Sequence, residues 1–406
     1  MFFRPLVGVT LLVCLGWANE ELRALEERVA ELTKRVDAQQ TREQNGNFES
    51  ADRRSVISVG GRIDLQAALG WPEGSLFAGK IPLSSEGENA QLQMSARDSR
   101  FWIKSRTPTP YGPARALIEL DFWGSSGDER NTNSHNPRLR HAYVTVGGFT
   151  IGQTNSAFNS LVTLDTIEFV INDVFVRQPL VRYTIEKGSV AYDLSFEQPE
   201  TTLIDKNASI ITPQDDQLPD LVAALRYYPA WGEASFALLF RRLSQDRAQL
   251  SDGTQLRTKD AAFGYGANLS AKILAYKQDD LRFDLQYGLG LGRYMAYNAF
   301  AAGFVDEDGA IELQKSYGAH LGYRHFWTQN LRSTLAYAYA ATHNSAKIQN
   351  NPQSANKSAS SLQANLFWTP FANTLTGLEY FHGTREVQSA DSGKIDLARL
   401  VFRYEF

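Results

Sequence analysis

Fourteen cationic residues fall on one side of segments whose polarity alternates: Arg62, Arg100, Lys104, Arg115, Arg138, Arg140, Arg182, Arg226, Arg241, Arg282, Arg324, Arg332, Arg399 and Arg403. Seven acids share that side: Asp64, Glu119, Asp121, Asp193, Glu197, Asp284 and Glu379. An excess of guanidinium groups suits carboxylates, because the planar fork donates two parallel hydrogen bonds. The chemistry on offer is recognition of small anions by fixed charges. The whole chain carries a formal charge of -4, so the surplus acid lies elsewhere, and bulk nucleic-acid binding is not suggested.

Patterns that would suit catalysis or metal binding are weak. GLGLGR (288–293) mimics a phosphate loop, but Gly288, Gly290 and Gly292 continue one face of a strand and no helix follows. The six histidines show no metal-ligand spacing; His320 is expected to face inward, and His135 and His343 to lie in loops. The acidic turn DEDG (306–309) reads as a solvated turn. There is no GxSxG, and a lipid hydrolase would need a Ser and His on the lipid side that the alternation does not supply. No enzyme activity, metal or cofactor is expected. The one cysteine, Cys14, sits in the N-terminal segment, so no disulfide or thiol nucleophile is implied for the rest.

What must position the charged side is a set of strands. In LRFDLQYGLG, Leu281, Phe283, Leu285, Tyr287 and Leu289 share one face, and Arg282, Asp284, Gln286, Gly288 and Gly290 the other. The same alternation recurs in RIDLQAAL (62–69), ARALIELDF (114–122), VAYDLSFE (190–197), DLVAALRY (220–227), YGAHLGYR (317–324) and ARLVFRYEF (398–406). Sixteen such segments run from Val56 onward. Their connections alternate short and long: short near 106–113, 146–149, 185–189, 228–233, 272–280, 325–330 and 369–373, long near 70–90, 124–136, 155–177, 198–219, 244–259, 293–312, 341–359 and 383–394. Long loops gathered at one end are the signature of an outer-membrane barrel with short periplasmic turns. Tyr228, Trp231, Trp327, Trp368 and Phe371 fall at the short turns, where an aromatic girdle belongs. The fold class is therefore all-β: a 16-stranded antiparallel transmembrane β-barrel with a short N-terminal coiled-coil helix.

Cost decides which face points where. An Arg or Lys at the bilayer midplane costs roughly 2–4 kcal/mol. A one-residue slip would push Arg282, Asp284 and Gln286 into lipid together. Apolar-out and polar-in is thereby fixed, and a polar interior means water. The closing segment LVFRYEF puts Leu400, Phe402, Tyr404 and Phe406 on the lipid face. The last strand is expected to pair with the first, and Tyr404 and Phe406 to serve as the end signal read by the barrel assembly machinery.

The N-terminal region divides further. Residues 1–18 read as a signal peptide, with Arg4, an apolar core from Leu6 to Trp17 and a cleavage site after Ala18; acylation at Cys14 is the weaker reading, because Val13 precedes it. Residues 19–40 carry Leu22, Leu25, Val29, Leu32 and Val36 at heptad spacing, a periplasmic coiled-coil helix. Two heptads are marginal for an isolated helix, which favours association of several copies. Residues 41–55 read as a polar linker, and 56–406 as the barrel.

At RLRHAYV (138–144), GQTNSAF (152–158), RQPLVRYT (177–184) and QLPDLVAALRY (217–227) the chain resembles the DcaP-like family of trimeric outer-membrane porins. The resemblance covers most of the barrel and the arm before it. It implies a homotrimer of sixteen-stranded barrels with periplasmic N-terminal helices, set in outer-membrane lipid and lipopolysaccharide. It also implies uptake of small anionic solutes, dicarboxylates among them. The chain departs from the family pattern at Asn155, where a Trp is usual, and around Gln217 and Ala224, where charge is common.

The third long loop, NSAFNSLVTLDTIEFVINDVF, is too apolar for a solvent-facing excursion. It is expected to fold into the barrel and narrow the pore, with Asn155, Phe158, Asp165, Glu168 and Asp173 on the constriction. The basic wall would be Arg100, Arg115, Arg138, Arg140 and Arg182, with Glu119 and Asp121 among them. Two other readings stay open: a non-selective channel whose arginines are structural, and a barrel with a mainly structural or adhesive task tethered by its coiled coil.

Overall fold

A computed structural model of the chain describes residues 47–49, 54–71, 81–83, 89–124, 132–159, 162–213, 215–343 and 354–406. The expected signal peptide (1–18) and coiled-coil helix (19–40) lie outside the described residues. Contacts divide the chain into two units, Met1–Val59 and Gly60–Phe406. In the first, Asn47–Glu49, within the expected linker, forms a short strand antiparallel to Val56–Ser58.

Sixteen strands make one closed antiparallel ring. They are β1 (Val56–Trp71), β2 (Arg100–Thr107), β3 (Ala114–Asp121), β4 (Arg138–Val146), β5 (Phe149–Asn155), β6 (Arg177–Lys187), β7 (Val190–Glu197) and β8 (Asp220–Tyr227). Then come β9 (Gly232–Asp246), β10 (Lys259–Leu274), β11 (Asp280–Leu289), β12 (Lys315–Phe326), β13 (Leu331–His343), β14 (Asn356–Trp368), β15 (Thr374–Val387) and β16 (Ser392–Glu405). Gln91–Ser95 adds a further segment along β1 ahead of β2.

Closure follows the register of β16 on β1. Tyr404 stands opposite Ile63 and Phe402 opposite Leu65, while Arg403 meets Asp64 on the inner side. Gly61 and Phe406 exchange backbone hydrogen bonds of 3.0 Å, so the last residue completes the ladder. Leu400, Phe402, Tyr404 and Phe406 are all exposed, whereas Val401 between them is fully buried. Closing the ring leaves no strand edge with unpaired backbone groups in the hydrocarbon. The girdle residues Tyr228, Trp231, Trp327, Trp368 and Phe371 are exposed at the short-turn end.

Three sequence expectations change. The loop expected at 383–394 is a four-residue connection at 388–391, because β15 and β16 pair as far as Glu386 with Ser392. Gly290 and Gly292 do not continue a strand: their φ values of +74° and +53° turn the chain out of β11 into the next loop. Two stretches expected as plain loops also pair. Leu203–Ile204, Ile210–Ile211, Gly303–Val305 and Ile311–Leu313 form a small four-stranded sheet, and its buried Leu203, Ile211 and Val305 pack on Leu243, Leu250 and Leu256.

Candidate functional site

The interior is not uniformly polar. Residues 156–159 and 162–176 fold inward, and so does a second segment, 291–301, whose aliphatic and aromatic residues sequence reasoning left as loop. Together they bury Phe158, Val170, Ile171, Tyr294, Met295 and Phe300 against the inner wall at Val222, Ala224, Ala237, Leu239, Ala336, Ala338 and Ala340. Phe158 and Tyr294 meet edge to face, with ring centroids 5.7 Å apart. The inner wall there is small and apolar because a loop, not water, covers it.

Polar anchors hold the third loop to the half of the ring built from β11–β16. The Glu379 carboxylate accepts the backbone N–H groups of Ile167 and Glu168 at 2.7 and 2.9 Å. Asn365 Nδ2 donates to Asp165 O at 2.8 Å, and Gln286 Nε2 donates to Asn172 O at 2.8 Å. Arg332 Nε donates to Asp165 Oδ2 at 2.5 Å, Arg324 adds an ion pair at 3.4 Å, and Arg399 pairs with Glu168. On β12, Gly318 admits the loop: a methyl group there would overlap the Asn172 side-chain oxygen. Replacing Glu379 by Gln leaves one acceptor oxygen where the carboxyl presents two, so one of the two anchoring bonds is expected to be lost, at a cost of roughly 1–3 kcal/mol. Single-channel records of E379Q should show more frequent conductance substates than the native chain, and an unchanged record would contradict the anchoring role.

Asp173 gives the loop one source of pH dependence. It stands 4.0 Å from His320 Nδ1, and its carboxyl is pushed up to about 7, first by burial and then by the neighbouring Asp284. A folded-state pKa above the free value of 3.8 means the docked loop holds its proton more tightly than the free loop. Docking is therefore strongest below the free value and weakens as pH rises to about 7. Channel records should become noisier between pH 5 and pH 8, and D173N should reduce that trend.

The opposite half of the ring carries the basic wall. Arg138 grips Asp121 with two bonds, Nε to Oδ1 at 3.0 Å and Nη2 to Oδ2 at 2.7 Å. Arg140 donates to Glu119 at 2.6 Å and Asp121 at 2.8 Å. Arg100 lies 3.5 Å from Glu119. Arg182 and Arg177 make no ion pair among the described residues, and Arg177 lies 4.4 Å above the Phe175 ring. A register shift between Glu119 and Leu120 on β3 brings His141 opposite Glu119, beside Arg140. His141 Nδ1 then reaches Thr154 Oγ1 at 3.0 Å. Such bulges re-aim side chains in barrels, and strict alternation could not have found this one.

The other expected site residues are placed as follows. Arg115 is exposed and stands opposite Thr145 on β4. Asn155 is the exposed last residue of β5, not part of the inward loop. Phe158 is wholly buried in the loop core, so it supports the constriction rather than lining water. Asp165 and Glu168 do not face a gap toward Arg100, Arg138, Arg140 and Arg182; they bond to Arg324, Arg332 and Arg399 on their own side. Asp165 is accordingly held below the usual carboxylate range by Arg332 and Arg324, which outweigh its burial. Arg177 and the 291–301 segment were not foreseen; a signal for the latter was the apolar run LGRYMAYNAFAAGF in an expected loop.

A closed sixteen-stranded ring, apolar outside and charged within, with a loop folded into its lumen, defines an outer-membrane channel of the porin class. The chain belongs to the DcaP outer membrane protein family, whose model matches residues 21–406. Its fold is similar to the crystal structure of the outer membrane channel DcaP of Acinetobacter baumannii, with a TM-score of 0.76 and 24% identity over 89% of this chain and 100% of that one. An anion-selective porin from Comamonas acidovorans matches at TM-score 0.56 and 12% identity over 87% and 100% of the two chains. The trimer form of OmpT from Vibrio cholerae matches at TM-score 0.53 and 9% identity over 87% and 99%. No curated protein sequence matches significantly. Family and fold identify a channel and not an enzyme.

Proposed function

We propose that this channel passes small hydrophilic solutes by diffusion and prefers anionic ones, dicarboxylates among them. The observation that carries the reading is which partner meets water in three of the inner ion pairs. Side-chain exposure is 42% for Arg138 against 0% for Asp121, 25% for Arg403 against 0% for Asp64, and 19% for Arg226 against 2% for Asp193. In these three pairs the carboxylate is buried and the guanidinium group is the exposed partner. A passing solute meets a positive surface although the pairs are formally neutral. Arg182, without an ion pair, adds net charge to the same wall. The anion-selective porin among the similar folds agrees with this reading.

The third loop narrows the passage, and Arg100, Arg138 and Arg182 line the wall it leaves open, with Arg140 buried behind them. Screening sets in at about 10 Å in 0.1 M salt, so charge acts only where the lumen is narrow. Liposomes carrying the purified chain should swell faster with a dicarboxylate than with a cationic solute of equal size. Equal rates would favour the non-selective reading, in which the arginines only neutralise Glu119 and Asp121.

We further infer that the working form is a homotrimer, with residues 19–40 of each copy forming a coiled coil in the periplasm. The heptad spacing of Leu22, Leu25, Val29, Leu32 and Val36 supports this, as does the trimeric form among the similar folds. Unheated electrophoresis of the full chain and of a variant with Leu25 and Leu32 replaced by Asp tests it, because only the native chain should keep a trimer band at full strength.

A further inference from the structure

At the long-loop end, the second inward segment borders a cavity of about 480 Å³. That volume lies within the range of small-molecule sites. Ile204 and Ile210 of the small sheet line one part of it, and Ser354, Asn356 and Arg385 another. The backbone that meets it is strained. Ala296, Tyr297 and Asn298 are three successive residues with φ of +48°, +54° and +61°. L residues visit this left-handed region singly rather than in runs, and such a conformation persists only where the surroundings enforce it. Here Met295 and Phe300 are buried on either side of the three. Asn356 Nδ2 donates to Ala299 O at 2.6 Å, and Thr202 Oγ1 donates to Asn298 Oδ1 at 3.1 Å. The turn sets Tyr297 and Asn298 at the cavity. The Tyr297 ring also rests on the third loop, 5.0 Å from the Phe169 ring and 5.4 Å from that of Phe175. The cavity therefore adjoins the constriction.

Its chemistry differs from that of the arginine wall. Three carboxamides line it, Asn298, Gln314 and Asn356, together with the Ser354 and Tyr297 hydroxyls. Among the described residues no carboxylate lines it, so a cationic ligand would find no counter-charge. Arg385 is the single cation of the lining, and two of its nitrogens are engaged by the protein: Nε donates to Asn356 Oδ1 and Nη1 to Ile81 O, both at 2.8 Å. Carboxamides carry both donors and an acceptor, which suits a ligand whose groups also do both. Hydroxyl groups are of that kind. Tyr297, Phe300 and Ile204 supply apolar surface, on which the C–H face of a sugar ring can lie.

We propose that this cavity binds a neutral, hydroxyl-rich ring, a mono- or disaccharide, laid against Tyr297 with its hydroxyls on the three carboxamides. Small carboxylates are served by the wall at Arg100, Arg138 and Arg182, so the two sites take different solutes. An occupant beside Tyr297 stands at the entrance to the constriction and obstructs the current.

The test is single-channel recording of the full chain in a planar bilayer, with sucrose added on the long-loop side and poly(ethylene glycol) of equal mass as a flexible neutral control. Sucrose should interrupt the current at a frequency that saturates with concentration, and the polymer should not. Y297A should raise the half-saturating concentration roughly tenfold, the worth of one ring contact, while Y297F, which keeps the ring, should stay near the native value. S354W fills the cavity from its rim without removing a bond that holds the fold. It should abolish the sucrose interruptions while remaining a heat-modifiable barrel on unheated electrophoresis. Sucrose carries no charge, so these outcomes are independent of the zero-current potential that tests the anion preference. The proposal would be overturned by an absence of sucrose interruptions in the native chain, by saturating interruptions from the polymer, or by a native sucrose response in heat-modifiable S354W or Y297A.

Discussion

Deleting residues 160–172 is expected to raise the single-channel conductance severalfold. The segment carries Val162, Leu164, Asp165, Glu168, Val170 and Ile171, and it is fastened by bonds to Glu379, Ser361, Asn365, Gln363 and four arginines. A sixteen-stranded ring is wide enough for an open aqueous channel, and the deletion removes most of one of its two inward segments while 291–301 stays in place. The deletion also removes the acids that pair with Arg332 and Arg399, while Arg324 keeps Asp280, so anion preference per unit of current should hold or rise even as the pore widens. Planar-bilayer records of the deletion variant supply both numbers. A conductance equal to that of the native chain would mean that the loop packs against the wall without restricting flow.

Reversing charge at Arg100 and Arg138 together is the second large effect. Both guanidinium groups reach water, so R100E/R138E should move the zero-current potential in a salt gradient toward cation selectivity. Arg140 is the wrong residue for this experiment. It is buried and bonded to Glu119 and Asp121, so its removal strands two carboxylates. Breaking such a buried pair costs about 3–5 kcal/mol. R140E should therefore fail to assemble a heat-modifiable barrel, while R100E/R138E assembles and changes selectivity. A potential that does not move in R100E/R138E would place the arginines among purely structural residues.

Much of the ring was legible because cost enforces the pattern. The alternation Leu281, Phe283, Leu285, Tyr287 survives on the outer face since any slip exposes Arg282 and Asp284 to lipid. Pairing of β16 with β1 was legible for the same reason. Inner details were less so, because nothing local encodes them. Asp165 meets Arg324 and Arg332 across 159 and 167 residues of sequence, and only the path of the loop puts it there rather than on a constriction facing the basic wall. The re-aimed Arg140 and His141 depend on one irregular register that alternation cannot see. Ala336, Ala338 and Ala340 gave a hint that went unread: small apolar residues on an inner face mean something packs there. DLVAALRY, apolar on both faces, carried the same message, since Val222 and Ala224 lie against the inward segments.

The central claim is a positively faced constriction beside the third loop. Its most direct test is the zero-current potential of the native chain in a planar bilayer under a salt gradient, repeated with succinate on one side. The expected result is an anion-selective potential together with succinate-dependent interruptions of the current, both reduced in R100E/R138E. A potential at zero with no interruptions would contradict the claim and leave an unselective channel.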